Sequence, residues 1–431
     1  MSRLLGITVM PEWIQAEGID RVLDNLGVAG ANAVATSPYV MAPSDDPAAG
    51  REPPIDAGAG KVRLLDRDLW GKRELRCVTA PSFVPDRSLY EGLRYQPAAA
   101  SELTEREGAK VGAFIEAAQK RGIQVHLQVQ AAIPPGYRVQ FGGPEAEDEP
   151  LLPDGSTHVG RVDKNGSLAA PEVTAYLEAL LEDVARAYPT VDAIRLDWPE
   201  YPPYTLDSWL FDFSAHAERA ARAKGYDFAA MRDVARRYQA EPARFLEDGL
   251  GPLAELGRFK ADLAVDLLAR ARAVLPANIK LVAHAFPPPW NELSGLDFGR
   301  VGAVADDIAV KLYTMHWPMM LRGYLERMGR LDAAGAVAVQ KLFDTGEAPL
   351  DALRYPEPHE AHPVGAEAQA RKIRAAAAAA PGIHAAAHAY GPEGDVLARA
   401  RVAWEASNRR IWLNRYGYLS DAKLAGLGRL A

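Results

Sequence analysis

A single cysteine, Cys77, in 431 residues leaves no partner for an intramolecular disulfide and excludes a cysteine-rich zinc or iron–sulfur centre. Cys77 itself reads as a small buried hydrophobe. Basic excess is missing as well. Lys and Arg number 49 against 57 Asp and Glu, a net charge of −8 with no long basic block, so the electrostatic footprint of a nucleic-acid binder is absent. No apolar run reaches the roughly 20 residues of a membrane helix. The opening run, Leu4 to Val9, meets Pro11-Glu12 without a small-residue cleavage site and reads as a first strand, so the expected compartment is the cytoplasm. No G-x-G-x-x-G follows that strand, which argues against an open dinucleotide-binding sheet.

What is present is apolar material in an ordered rhythm. With 48% hydrophobic and 25% charged residues, the chain can bury a large core. Short β-branched segments alternate with Ala-, Leu- and Arg-rich segments of helical period, the pattern of a parallel sheet with crossover helices. Strands are predicted at 4–9, 31–37, 123–130, 193–197, 279–285, 308–314, 383–390 and 410–415. Helices are predicted between them at 14–26, 105–120, 171–187, 258–274, 319–328 and 366–380, the last ending in six alanines before Pro381-Gly382. Eight strand–helix units in one series predict an α/β fold, a (β/α)₈ TIM barrel forming one domain over residues 1–431, with an open parallel sheet and lid as runner-up. Long loops at about 41–75, 134–164 and 201–257 follow the second, third and fourth strands, and so lie over the C-terminal face where such barrels keep their active sites.

Period-two alternation then assigns the inward faces. In Ile123-Gln-Val-His-Leu-Gln-Val-Gln130 one face is Gln124, His126, Gln128 and Gln130, and the other is apolar. Helices cover the outside of a barrel, so the polar set points to the axis. By the same rule Arg195, Asp197, His284, Lys311, Tyr313, His384, His388 and Asn414 point inward. Barrel interiors are usually layers of Val, Ile and Leu, and an unpaired buried polar group costs about 1–3 kcal/mol. These residues therefore form a hydrogen-bonded network or meet a polar ligand.

The densest chemistry is Val191-Asp-Ala-Ile-Arg-Leu-Asp-Trp-Pro-Glu-Tyr-Pro-Pro-Tyr204. Asp197 closes the strand, Arg195 lies two residues back on the same face, and Glu200 follows among Trp198, Tyr201, Tyr204 and Trp209. An Arg beside Asp197 favours the ionised carboxylate, whereas a carboxyl against aromatic rings is pushed toward neutral. Two carboxyls in contrasting surroundings are the minimum for glycoside hydrolysis, and aromatic faces suit the C–H faces of sugars. The alternative is a structural Asp197–Arg195 salt bridge with the aromatics as packing.

Ala170-Pro-Glu-Val-Thr-Ala-Tyr176 followed by Val191-Asp-Ala-Ile-Arg-Leu-Asp-Trp-Pro-Glu-Tyr-Pro202 resembles the "PEVRAY … VDGIHLDYIRYP" signature of glycoside-hydrolase-like TIM barrels. Trp209 to His216 looks like the place where some of these proteins carry an "FCxxC" stretch, here without cysteine. Gly295-Leu-Asp-Phe298 and Asp307 to Trp317 resemble their "GxDY … DxIxxMxY", and Ile411 to Tyr418 is similar to their closing strand. The resemblance spans roughly residues 100–420 and implies a sugar-active barrel. Where the pattern has Arg before Tyr-Pro, this chain has Glu200, which supplies a second carboxylate or marks an altered pocket. Arg195-Leu-Asp197 also resembles the Arg-x-Asp of alpha-amylase-type barrels, which implies a nucleophile role for Asp197. Those enzymes place their acid Glu at the end of the fifth strand, where this chain has His284-Ala-Phe286, with Glu292 further into the loop.

A metal-dependent sugar isomerase or lyase would draw on His126, Asp197, His284 and His388, but the first strand lacks His-x-His, so neither metal nor cofactor is expected. Lys311 is placed for a Schiff base, and pairing with an acidic neighbour is its expected role. Glu12 is expected as an exposed rim residue, and Asp306 and Asp307, at the bottom of the barrel, as structural. The segment 354–362 either covers the cleft or is a solvated connector. The expected activity is glycoside hydrolysis of an oligosaccharide or small glycoside, with Asp197 as nucleophile or base and Glu200, or failing it Glu292, as acid. Substrate contacts are expected from His126, Gln128, Arg195, Trp198, Tyr201, His284, Lys311, Tyr313, His316, His388 and Asn414. A noncatalytic carbohydrate-binding barrel is the alternative from another class. The expected partner is a carbohydrate, with no nucleic acid and no membrane, and a homo-oligomer stays open.

Overall fold

The computed structural model describes residues 3–52, 65–73, 75–138, 142–161 and 163–430. Its strands, in chain order, are β1 (Leu4–Thr8), β2 (Ala33–Thr36), β3 (Tyr39–Pro43), β4 (Gly50–Glu52), β5 (Leu75–Pro81), β6 (Gln124–Gln130), β7 (Ala193–Asp197), β8 (Lys280–Ala285), β9 (Asp307–Leu312), β10 (Ile383–His388) and β11 (Arg410–Asn414). Among the described residues, β1, β2 and β6 to β11 pair in parallel, and β11 returns to β1 to close a barrel. These are the eight strands the sequence predicts, each within two residues of its expected bounds. Helices cross over between them, including Pro171–Ala187 with proline in its first turn and the alanine-rich Ala366–Ala379. The first helix differs from expectation: it breaks into Pro11–Glu17 and Ile19–Val28 because Gly18, at φ 84°, turns the chain left-handed between them. None of the described helices is long and apolar enough to cross a membrane.

Alternation sorts the strand residues as predicted. Val125, Leu127 and Val129 of β6, and Ile194 and Leu196 of β7, join the large apolar core beneath the helices. Inside the barrel sits a separate cluster of Leu4, Ala33, Ala35, Ala193, Val282, Ala309, Ala386 and Trp412. One large indole among small neighbours replaces the usual layers of branched residues. Gly6 makes room for it, since a Cβ there would lie 2.2 Å from the Trp412 ring. Below, Trp412 Nε1 donates to His384 Nδ1 at 3.3 Å, and His384 Nε2 lies 3.3 Å from Asp307 Oδ1, which also meets Arg410 at 3.1 Å. Asp306 accepts from the Leu281 amide at 2.8 Å. Both aspartates therefore do structural work at the bottom of the barrel.

The insert after β2 is more than a loop, because β3, β5 and β4 form an antiparallel sheet in that order, with Cys77 buried on β5. Residues 53–64 and 74 of this insert, and 139–141 and 162 of the next, lie outside the described residues. The third insert carries the helices Ala215–Ala223 and Phe228–Ala240.

Gly6→Ala drives a methyl group into the Trp412 ring and should cost about 1–3 kcal/mol of stability by overpacking. Adding Trp412→Phe should recover part of that loss. Urea unfolding checks both variants, and a wild-type midpoint for Gly6→Ala alone would contradict this packing.

Candidate active site

Asp197 ends β7 at the C-terminal mouth, and the inward residues of three other strands converge on it. Its Oδ1 lies 2.8 Å from Lys311 Nζ of β9 and 3.4 Å from His284 Nδ1 of β8. Its Oδ2 accepts from Gln128 Nε2 of β6 at 3.4 Å. The Lys311 and His284 side chains are each 2% exposed, while Asp197 keeps 18%. Of these three charged or titratable groups the carboxylate is the one that keeps an open edge, with half-buried Gln128 beside it. Burial works against its charge, but Lys311 and His284 outweigh burial and hold the carboxyl well below the ordinary carboxylate range. Lys311 also lies over the Phe286 ring at 4.7 Å and the Trp198 ring at 5.5 Å.

The expected pairing of Arg195 with Asp197 is replaced by a different contact. Arg195 donates from Nε to His284 Nε2 at 2.9 Å and lies 4.2 Å over the Trp412 ring. Residues two apart on a strand share a face but stand about 6.6 Å apart, and Arg195 turns down the axis. Lys311 therefore supplies the cation, as the acidic-neighbour reading of that lysine expects. Burial, reinforced by Arg195, brings the His284 imidazole down to about 4, so the ring is neutral near pH 7.

Glu200 is fully covered. Its Oε1 accepts from the Phe286 amide at 3.0 Å and its Oε2 from the Ser294 hydroxyl at 2.5 Å, tying the loop after β7 to the loop after β8. Burial raises it to about 7. Trp198, between the two carboxyls, has a left-handed backbone at φ 55°. Asn165 Nδ2 holds that turn by donating to the carbonyls of Trp198 at 2.9 Å and Glu200 at 2.8 Å. Glu292 is not brought to Asp197. It is exposed on the short helix Trp290–Ser294, two positions or about 200° around from the inward-facing Ser294, and lines an outer groove with Arg258 and Arg300.

Aromatic rings gather beside the mouth. Trp198 meets Tyr204 at 5.7 Å, Tyr204 meets His316 at 5.5 Å, His316 meets Tyr313 at 5.9 Å, and Tyr313 meets His388 at 5.1 Å. His388 Nδ1 accepts from the Tyr390 amide at 3.1 Å, and half-buried Asn414 pairs with His388 in register. The segment 354–362 sits on this wall: Tyr355 packs 5.8 Å from His316, and His362 Nδ1 lies 2.8 Å from the Thr314 hydroxyl. Besides Lys311 and His284, buried behind Asp197, three more expected contact residues lie inside the scaffold. His126 packs 4.8 Å from Trp412, Arg195 is beneath His284, and the Tyr201 hydroxyl donates to Asp212 and accepts from the Leu168 amide, each at 3.0 Å. Glu12 is fully buried rather than on the rim, because its helix starts directly after β1 and turns it toward Arg138 Nη1 at 3.0 Å and the Tyr39 hydroxyl at 3.1 Å.

Among the described residues, no three His, Cys, Asp or Glu side chains come together as metal ligands, and of the proposed set only Asp197 and His284 meet. Trp412 is not among the inward residues named from the sequence, although it stands two residues before Asn414 on the same face. Arg138 and Phe286 come from loops and Ser294 from a helix of little more than one turn, too short to carry a periodic signal.

No family model and no curated protein sequence matches the chain. Solved structures do match. The catalytic domain of a β-amylase from Paenibacillus polymyxa superimposes with a TM-score of 0.52 at 11% identity, over 98% of this chain and 94% of that one. A β-galactosidase from the psychrophilic Marinomonas ef1 superimposes with a TM-score of 0.51 at 13% identity, over 96% of this chain. This chain shares its fold with glycoside hydrolases. It spans about half the length of that β-galactosidase, 54%.

Because Glu200 is raised from 4.5 to about 7, folding takes up a proton in that window, and the stability tied to this group falls as pH rises through it. Glu200→Gln keeps an acceptor for Phe286 and a partner for Ser294. The wild type should therefore lose more thermal stability between pH 5 and 8 than the variant does, and parallel melting curves across that range would refute the assignment.

Proposed function

We propose that the protein is a glycosidase acting on an oligosaccharide or small glycoside, with Asp197 as nucleophile or base and Glu200 as proton donor. The observation that carries this reading is the divergence of two carboxyls three residues apart. Asp197 is held anionic with an open edge at the mouth, while Glu200 is raised to about 7. Glycoside hydrolysis needs that division: an anion to meet oxocarbenium-like charge, and an acid to protonate the leaving oxygen. Half-buried Tyr313 is the ring beside the mouth that could meet a sugar, with Trp198 and Tyr204 packed behind it, and the shared fold supports the reading. Glu200 lies beneath the mouth surface, so proton donation requires the loop after β7 to lift it from Phe286 and Ser294.

A second reading, a carbohydrate-binding barrel without turnover, draws on that same coverage of Glu200 and on the Lys311 ion pair, which damps the nucleophilicity of Asp197.

Asp197→Asn should lower turnover of aryl glycosides by roughly a hundredfold or more while sugar binding by calorimetry persists. Unchanged turnover would remove Asp197 from catalysis, and sugar binding by a wild type that turns over none of a broad glycoside panel would establish the second reading. Activity of the wild type should decline above about pH 7 as Glu200 loses its proton. Glu200→Gln should abolish that alkaline limb, and an intact limb in the variant would exclude Glu200 as the acid.

A further inference from the structure

We propose that Arg195 is a positioning residue that locks His284 in its Nδ1–H tautomer, so that Asp197 is gripped through Oδ1 and presents Oδ2 to a ligand. The hydrogen-bond inventory carries the first half. A guanidinium has donors and no acceptor. Arg195 Nε, 2.9 Å from His284 Nε2, must donate, so Nε2 holds the lone pair and the ring proton sits on Nδ1. That nitrogen faces Asp197 Oδ1 at 3.4 Å, and a lone pair there would repel the carboxylate. Arg195 itself is held, 1% exposed, with its guanidinium 4.2 Å over Trp412. The charged and titratable groups about His284 are Asp197, Lys311 and Arg195, with His126 and His384 further down the axis beside Trp412.

The second half follows from how the two oxygens differ. Lys311 and His284 both address Oδ1, which has no contact with solvent. The 18% of the Asp197 side chain that remains open therefore lies away from Oδ1, toward Oδ2, whose neighbour is the Gln128 amide at 3.4 Å. Naming Oδ2 as the reacting oxygen rests on the glycosidase reading; the tautomer does not. The axis also yields an internal control. Trp412 Nε1 donates to His384 Nδ1, so His384 must carry its proton on Nε2, opposite to His284.

Two-bond ¹H–¹⁵N spectra of the imidazoles of the full-length protein near pH 7 read both tautomers, with the His284 signal assigned by its loss in His284→Gln. The wild type should show His284 as Nδ1–H and His384 as Nε2–H. Arg195→Lys, which keeps a donor, should retain the His284 pattern, and Arg195→Met should lose it. A wild-type His284 protonated on Nε2, or a folded Arg195→Met with an unchanged pattern, would overturn the proposal. If Arg195→Met does not fold, the wild-type and Arg195→Lys spectra still decide. For the reacting oxygen, Arg195→Met should lower kcat with little change in KM, and Arg195→Lys, which keeps the donor to His284, should retain most of it. A change confined to KM would place Arg195 in binding instead. A tautomer as stated in a protein without turnover would overturn only the glycosidase reading.

Discussion

Arg195 lies 4.2 Å above the Trp412 ring, and the order of the barrel interior follows from that contact. An indole fills the axis only because Gly6, Ala33, Ala35, Ala193, Ala309 and Ala386 are small around it, and its face offers a buried guanidinium an electrostatic partner. The guanidinium donates from Nε to His284, which leaves the other ring nitrogen of His284 facing Asp197. Core packing and site geometry are here the same problem. Without the ring, a charge buried to 1% exposure would lack its support, and the imidazole above it would have no fixed orientation.

On that column rests the separation of the two carboxyls. Glu200 is buried and Asp197 is open along one edge only, and the lost hydration alone would make both weaker acids. Asp197 escapes because His284 reaches it from the adjoining β8 and Lys311 from β9, one strand further round, whereas Glu200 meets an amide and a hydroxyl that cannot match the lost hydration. The left-handed turn at Trp198 sends the chain from one environment into the other within three residues, and Asn165 braces it from the loop after β6.

The strands and their inward faces were readable because alternation is set by covalent geometry and one face of every strand had to be apolar. Gln128, Asp197, His284 and Lys311 converge as that rule implies. Which cation would pair with Asp197 was not readable, since Lys311 reaches it from β9, across the intervening β8, and alternation along one strand carries no information on such contacts. Nor was the burial of Glu12 and Glu200, which depends on where loops bring Arg138, Phe286 and Ser294. Glu292 shows the limit from the other side: its sequence position beyond β8 fits an acid, but the helical turn through Ser294 sends it outward.

The claim on which the account stands is that one carboxyl stays ionised at the mouth while the other, buried beneath it, titrates near 7. A ¹³C titration of the Asp and Glu carboxyl carbons, with Asp197→Asn and Glu200→Gln used to assign the two signals, tests it without reference to any substrate. Asp197 should remain ionised to the lowest pH at which the protein stays folded, and Glu200 should titrate near 7. Titration of both at their ordinary values, 3.8 and 4.5, would contradict it.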